Sequence, residues 1–374
     1  MYDNNDMLSV EAVIKVIGVG GGGGNAINRM IDNQLTGVEY IAINTDCQVL
    51  RQSRADIRIP IGTELTRGLG AGNNPDIGRR AAEESEAQIR EVLKDTDLVF
   101  FTAGMGGGTG TGAAPVIARY AKEAGCVVVA VVTKPFSFEG KRRMQQAITG
   151  IEQMRPYVDT IVIVPNDKLL QIIGTNTTYA DAFKEADTVL LRGVQGITEI
   201  INLAGIINVD FADVKSVLQG KGKALMGIGV ASGPNRAIEA ARMAISSPLL
   251  EVDINGATDA IVQITSDYDI TMKEVEDIIT EIQNASSTEI EIIHGSGFNP
   301  ELAGEVVVIV IATGFDSTEK EEKVSEPVYV NEPQPTFEPT TRINVPHVES
   351  GSTSNEAKEK KETKVPSWLQ SRFK

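Results

Sequence analysis

The run Gly104-Met-Gly-Gly-Gly-Thr-Gly-Thr-Gly112 decides how this chain folds. It follows the apolar stretch DLVFFTA at 97–103 and leads into AAPVIARY at 113–120, so the order reads strand, glycine loop, helix. Six glycines in nine positions let the backbone approach a ligand with no Cβ in the way. Successive N–H groups and the positive end of the following helix then point at an anion. The pattern predicts a phosphate cradle and not a linker, because linkers are not wedged between a buried strand and a helix. Thr109 and Thr111 are expected to add hydroxyl donors. Pro115 is expected in the first helical turn, where its missing N–H has no partner to lose. A Walker loop would need Gly-Lys-Ser/Thr, and no lysine lies between residues 95 and 121. Phosphate charge must then be met by amides, a metal and groups from elsewhere.

Upstream stands a second loop of the same kind. The apolar run 13–19 enters Gly20-Gly-Gly-Gly-Gly-Asn25, and Ala26, Ile27, Met30 and Ile31 follow at helical spacing. Read from Gly18, the spacing also satisfies G-x-G-x-x-G, with Asp46 after the next strand (38–44) as a dinucleotide fold would place its ribose-binding acid. That match supports an NAD(P)-dependent oxidoreductase as the alternative reading. Such a fold uses one phosphate loop, however, and this chain has two, which suits a nucleoside triphosphate better.

Between the two cradles lies a glycine-dense loop, Gly68-Leu-Gly-Ala-Gly-Asn-Asn-Pro75, before a charged helix from about Asp76. Its Ala71, Gly72 and Asn73 offer amides that can close over a terminal phosphate, or form an ordinary surface loop. The apolar runs 126–133 and 160–166 are strands covered on both faces, so the first half is a parallel, doubly wound α/β sheet. A helix between them is expected to carry Glu139 and Arg143 on one face, either as a salt bridge or as a sugar and phosphate contact.

Residues 179–202 form the longest predicted helix, with Phe183, Ala186, Leu190, Val194, Ile197 and Ile201 in one stripe along roughly 36 Å. Beyond it, strand-like segments near 224–228, 259–265, 289–293 and 306–312 alternate with helices near 236–245 and 272–283, a second, smaller α/β domain. Immediately after the long helix, Asn208, Asp210 and Asp213 gather polar groups in an apolar stretch. Asp210 reads equally as a helix N-cap and Asp213 as a first-turn acid.

The 374 residues allow two packed domains and a tail. A net charge of −16 argues against nucleic acid, anionic membrane or acidic partners. The acidic start MYDNNDML has no secretory pattern and no run approaches the length of a membrane span, so a cytoplasmic protein without membrane insertion is expected. Cys47 and Cys126 read as buried thiols, and two histidines, His294 and His347, are too few for a zinc cluster. No protein-built metal site is expected. Six of the fifteen prolines (Pro327, Pro333, Pro335, Pro339, Pro346 and Pro366) lie after residue 316 among Glu, Lys, Ser and Thr, which predicts a disordered tail. It ends in Val365-Pro-Ser-Trp-Leu-Gln-Ser-Arg-Phe-Lys374, whose aromatics suit a peptide that docks in a partner's groove.

Taken together, GGGGN at 21–25, GGGTGTG at 106–112, the long helix and NVDFADV at 208–214 resemble the tubulin/FtsZ family of GTPases. The resemblance covers residues 11–315 and the last ten. It implies a GTP-binding domain at 11–178, a linking helix at 179–204, a second α/β domain at 205–316, a linker at 317–364 and a partner-binding peptide at 365–374. It further implies that Gly21, Gly22, Gly23, Gly24 and Asn25, with Gly107, Gly108, Thr109 and Gly110, hold phosphates, and that Ala71, Gly72 and Asn73 meet the γ-phosphate. Glu139 and Arg143 would contact ribose and phosphate, Phe183 would stack on the base, and Asn166 and Asp187 would read guanine. Asn208, Asp210 and Asp213 would enter the neighbouring subunit's site. The implied ligands are GTP, GDP and a Mg²⁺ held mainly by phosphates and water. The implied partners are other copies of this chain, head to tail, and membrane tethers and regulators of the cell-division ring through the terminal peptide.

Overall fold

The computed structural model describes residues 12–172, 177–202, 209–249, 254–287 and 289–315. Asn208, the linker at 317–364 and the peptide at 365–374 lie outside them. The strands are β1 (Ile14–Val19), β2 (Glu39–Asn44), β3 (Ile57–Pro60), β4 (Leu98–Gly104), β5 (Val127–Lys134), β6 (Thr160–Pro165), β7 (Gly222–Ser232), β8 (Asp259–Ser266), β9 (Glu291–Phe298) and β10 (Glu305–Thr313). The helices are α1 (Gly20–Asp32), α2 (Cys47–Gln52), α3 (Thr63–Thr66), α4 (Pro75–Glu84), α5 (Glu86–Val92), α6 (Thr109–Glu123), α7 (Lys141–Met154), α8 (Asn166–Ile172), α9 (Tyr179–Asn202), α10 (Phe211–Leu218), α11 (Arg236–Ile245) and α12 (Met272–Asn284).

The strands join in the order β3-β2-β1-β4-β5-β6-β7-β10-β8-β9. From β3 to β6 every pair is parallel, the doubly wound arrangement expected from the continuous apolar runs. β7 continues the parallel pairing through Thr160 opposite Gly222 to Val162 opposite Ala224, then pairs antiparallel with β10. β10 in turn is antiparallel to β8, and β8 is parallel to β9.

Two layers of core cover the parallel sheet because alternate side chains leave opposite faces. Phe100 and Val129 pack with Ile27 and Met30 of α1 and with Leu190 and Val194 of α9. Phe101 and Val128 pack on the other face with Ile117 and Tyr120 of α6 and Ile151 of α7. The same alternation in β10 sends Val307 and Ile309 towards α9, and Val306 and Val308 towards Ala240 and Ala244 of α11 and Ile278 and Ile282 of α12. The apolar stripe of α9 thus lies under strands of both halves of the sheet.

The order 3-2-1-4 reverses between β1 and β4, and ligands of such sheets bind outside the carboxyl ends of the strands at the reversal. α1 follows β1 and α6 follows β4, so both glycine runs stand at that point. Of the two glycine runs only residues 105–108 form a loop ahead of a helix. Residues 20–24 and 109–112 are the first turns of α1 and α6, and Pro115 consequently lies inside α6 and not in its first turn. Packing overrides glycine's poor helix propensity: a Cβ on Gly112 would overlap the carbonyl oxygen of Pro75, which is how α4 seats against the start of α6.

Candidate functional site

The start of α1 touches the start of α6. A Cβ added to Gly20, whose φ is +75°, would stand 2.8 Å from the amide nitrogen of Gly110. Gly23 is pressed on the carbonyl oxygen of Thr102 in β4, so no side chain fits there either. Gly21 is different: a Cβ at that position would meet nothing within 4 Å. A helical glycine with no packing reason costs about 1 kcal/mol against alanine. What it leaves is an open amide surface at two helix N-termini, where the dipoles favour an anion.

Beside this surface lies a cavity of about 320 Å³ lined by Gly21, Gly22, Asn25, Glu139, Arg143, Asn166, Phe183 and Asp187, together with Gly104, Met105, Thr133, Pro135, Ala186 and Leu190. It is within the size range of small-ligand pockets. Eight residues singled out in the sequence therefore line one cavity. Glu139 and Arg143 do not lie on one helix as expected. Glu139 ends a short 3₁₀ turn (Ser137–Glu139), and Gly140 separates it from α7 at a φ of +102°. The two still form an ion pair, and the other carboxylate oxygen of Glu139 accepts the N–H of Phe136 at 2.9 Å. The guanidinium of Arg143 turns towards Gly107, and its Nε is buried without a partner.

In the same cavity Asn166 is buried and its Oδ1 has no partner. Burial pushes the Asp187 carboxyl up to about 6, while the nearby Arg29 charge acts in the opposite direction. An orphaned amide oxygen and a desolvated carboxylate in one cavity are acceptors awaiting donors. Phe183 stands edge-on to Phe136 and to Tyr179, each at 5.1 Å between centroids. This apolar wall continues to Phe138, 55% exposed, and Tyr179, 68% exposed.

Gly24 lies apart, in a small cavity with Asn25 and Asn44. Gly110 adjoins Gly20 and Gly107 lies beside the Arg143 guanidinium, but Gly107, Gly108, Thr109, Gly110 and the loop 71–73 do not line the main cavity. That loop is tied down: Gly70 donates to the carbonyl of Thr45 at 3.1 Å, and Ala71 and Asn74 pack on Gly108. Gly72 and Asn73 both have left-handed backbone, with φ of 57° and 58°. Both hydroxyls expected as donors have a partner within the chain, and Thr111, which accepts, keeps its own O–H to donate. Thr111 accepts the N–H of Gly106 at 2.7 Å, and Thr109 shares a 2.6 Å hydrogen bond with Thr45.

Sequence reasoning missed Thr133, Pro135 and the Thr45 partner of Thr109. A polar residue ending an apolar strand run, as Thr133 does, marks a strand's carboxyl end, and that rule would have found it. Thr45 and Pro135 carried no comparable signal.

Asp210 and Asp213 are not near this cavity. Asp210 caps α10 by accepting the N–H of Asp213 at 2.9 Å, and both side chains are exposed. Asp210 lines another cavity, of about 460 Å³, with residues 33–37 and with Gln195, Thr198, Glu199 and Ile201 of α9. Burial raises the Glu199 carboxyl, which accepts hydrogen bonds from Gln195 and Gln263. Asp187 and Ile201 are 14 positions apart on α9, about 21 Å at 1.5 Å per residue.

The GTPase-domain model of the Tubulin/FtsZ family matches residues 13–174, and the C-terminal-domain model of the FtsZ family matches residues 222–316. A solved FtsZ dimer from M. jannaschii, described as empty, is 45% identical over 83% of this chain and 90% of its own, with a TM-score of 0.80. The chain belongs to the Tubulin/FtsZ family. A solved mutant form of FtsZ from M. jannaschii is likewise 45% identical, covering 82% of this chain and 92% of its own, at a TM-score of 0.79. CetZ2 from Haloferax volcanii, solved as a GTPγS-bound protofilament, shares the fold at 22% identity and a TM-score of 0.68 over 81% of this chain and 93% of its own.

As a member of the Tubulin/FtsZ family the chain is a GTPase that binds GTP and GDP. The oxidoreductase alternative is not favoured, and the physical reason is visible at Asp46. Its carboxylate caps α2, accepting the N–H groups of Gln48 and Val49, and Asp46 forms a bridge with Leu69. The acid that would have held a ribose is a helix cap. No helix among the described residues of this FtsZ-family chain is long and apolar enough to cross a membrane.

Proposed function

We propose that this GTPase assembles head to tail into filaments of a cell-division ring and hydrolyses GTP at the junctions, with Asn208, Asp210 and Asp213 of one subunit completing the site of the next. The observation that carries this reading is the separation along α9. The base end of the cavity is lined from its first half, and the capped acids follow its far end. Within one subunit the two groups do not meet, and head-to-tail stacking joins them. A heterologous contact of that kind propagates as a filament when it does not close.

In this reading residues 21–25 and 107–110 hold the phosphates and the loop 71–73 meets the γ-phosphate. Glu139 and Arg143 take ribose and phosphate, Phe183 stacks on the base, and Asn166 and Asp187 accept from guanine. Among the described residues no group of three or more His, Cys, Asp or Glu side chains is placed to hold a metal. In this reading a Mg²⁺ would be carried by the phosphates and water and would neutralise charge on the phosphates. The lent carboxylates orient the attacking water and accept its proton, roles a positioned Asp performs. The protein would act in the cytoplasm at the division site, and the peptide at 365–374 would dock ring tethers and regulators.

Mixing two defective chains tests the shared site. Asp213→Ala keeps the cradle and loses the acid, whereas Thr109→Ala damages the cradle and keeps the acid. Each alone should be nearly inactive. In an equal, randomly copolymerised mixture about one junction in four combines the intact halves, and activity returns in that proportion. No rescue at any ratio would overturn the reading.

A further inference from the structure

α10 is clamped at one end. The carbonyls of Val217 and Leu218, in its last turn, accept hydroxyl hydrogen bonds from Thr313 of β10, at 3.0 Å, and from Thr160 of β6. Both threonines are fully buried. The turn that follows is pinned as well: Gly220 donates to the Asp159 carboxylate at 3.1 Å, and Gly222 to the Asp159 carbonyl at 2.8 Å. Asp159 is itself held by Lys122 at 2.7 Å and by the N–H of Val128 at 3.0 Å. Helix carbonyls at a C-terminus commonly face water or a glycine turn. Here two strands far apart in sequence supply them with side chains.

At the other end Val214 is fully buried and Val209 and Phe211 pack against the core, contacts without the direction of a hydrogen bond. There the described partner of Asp210 is the amide of Asp213, on the same helix, and both acids are exposed. An eight-residue helix is about 12 Å long, so a tilt of about 5° at the clamp moves the far end by about 1 Å. A misplacement of that size at a reacting group costs on the order of 100-fold in rate.

We propose that Thr160, Thr313 and Asp159 are positioning residues for GTP hydrolysis: by gripping the C-terminal end of α10 they set where Asp210 and Asp213 stand in the neighbouring subunit's site. The inference rests on the shared-site reading. It assigns a function in turnover to buried groups that line neither of the two cavities, and it makes the loop a defined lever on the sheet.

The experiment uses the full chain carrying Thr160→Val and Thr313→Val, singly and together, which remove the hydroxyls at nearly constant shape. Thr160→Ser and Thr313→Ser keep the hydroxyls and serve as conservative controls. The double Val chain should bind GTP within about twofold of the parent, sediment as polymer with it, and lose at least about tenfold in turnover. The Ser chains should stay within about threefold. Mixed with Thr109→Ala, which has a sound loop, the Val chain should regain activity. Mixed with Asp213→Ala it should not. Rescue by both, rescue by neither, or loss of copolymerisation overturns the clamp. If the double chain does not fold, the single Val chains carry the same mixing test, and failure of both to fold shows a purely structural role. The mixture of Thr109→Ala with Asp213→Ala is run beside these. If it too stays inactive, the shared site itself fails, an outcome distinguishable from failure of the clamp alone.

Discussion

The carboxylate of Asp210 accepts the backbone N–H of Asp213 at 2.9 Å, so the two acids of the loop share one helix start. Cap and charge can be separated by substitution. Asp210→Asn keeps a good N-cap and should alter stability by less than about 0.5 kcal/mol, whereas Asp210→Ala should cost about 1 kcal/mol. Both should lose at least about tenfold in GTP turnover if the charge serves the chemistry. Thermal melting and phosphate release on the two chains decide it, and full turnover in the Asn chain would reduce Asp210 to a cap.

Gly21 and Gly23 sit two residues apart in α1 and should respond in opposite ways. Gly21→Ala adds a Cβ to open space and should raise the stability of the empty protein by about 0.5–1 kcal/mol while weakening GTP binding at least about tenfold. Gly23→Ala drives a Cβ into the carbonyl of Thr102 and should destabilise by about 1–3 kcal/mol. Denaturant unfolding paired with nucleotide titration separates a ligand surface from a packing contact. Unimpaired binding by Gly21→Ala would remove it from the cradle.

Asp187 predicts two pH dependences of opposite sign. Its carboxyl is raised from the ordinary 3.8 to about 6, mainly by burial. Across that window the folded chain keeps a proton the unfolded chain has released, so stability without nucleotide should fall as pH rises from about 4 to about 6. Guanine recognition needs the ionised form, so GDP affinity should weaken by up to about tenfold per pH unit below about 6. Asp187→Asn should flatten both curves, and Asp187→Ala should lower affinity for GTP and erase preference over ATP by about 1–3 kcal/mol. Calorimetric titrations at several pH values on parent and variant make the comparison; equal slopes in the two would reject the assignment.

Removing residues 317–374 should leave GTP hydrolysis and sedimentation of polymer within about twofold of the full chain, because the matched family domains end at residue 316 and the cavity precedes it. Recruitment to a division site should fail. A truncated chain that no longer bound nucleotide would place part of the site in the tail.

Much of this architecture was legible where the periodicity was long. The stripe from Phe183 to Ile201 fixed the α9 bounds at 179 and 202, because a helix that packs under both halves of the sheet cannot afford a break in its apolar face. Short elements were not legible: β3 has four residues and α3 has four, too few for a period to repeat. The glycine runs misled in one respect. Glycine reads as loop, yet Gly23 and Gly112 are helical because neighbouring carbonyls approach more closely than any Cβ permits. Within the cavity, Asn166, Phe183 and Asp187 were reachable through resemblance. Pro135 enters it only through the placement of β5, a fact of the fold and not of any local pattern.

Five identical residues, at positions 20–24, hold unlike duties: one meets the Gly110 amide, two have open space where a Cβ would stand, and one bears on the Thr102 carbonyl. Gaining or losing a single glycine in this tract would introduce no foreign side chain at all. It would nonetheless swing every residue after it by about 100° around α1, carrying Asn25 away from the cavity and Ile27 and Met30 out of the core. Length is therefore the guarded property of this tract, and a change invisible in its composition would be among the most damaging the chain can suffer.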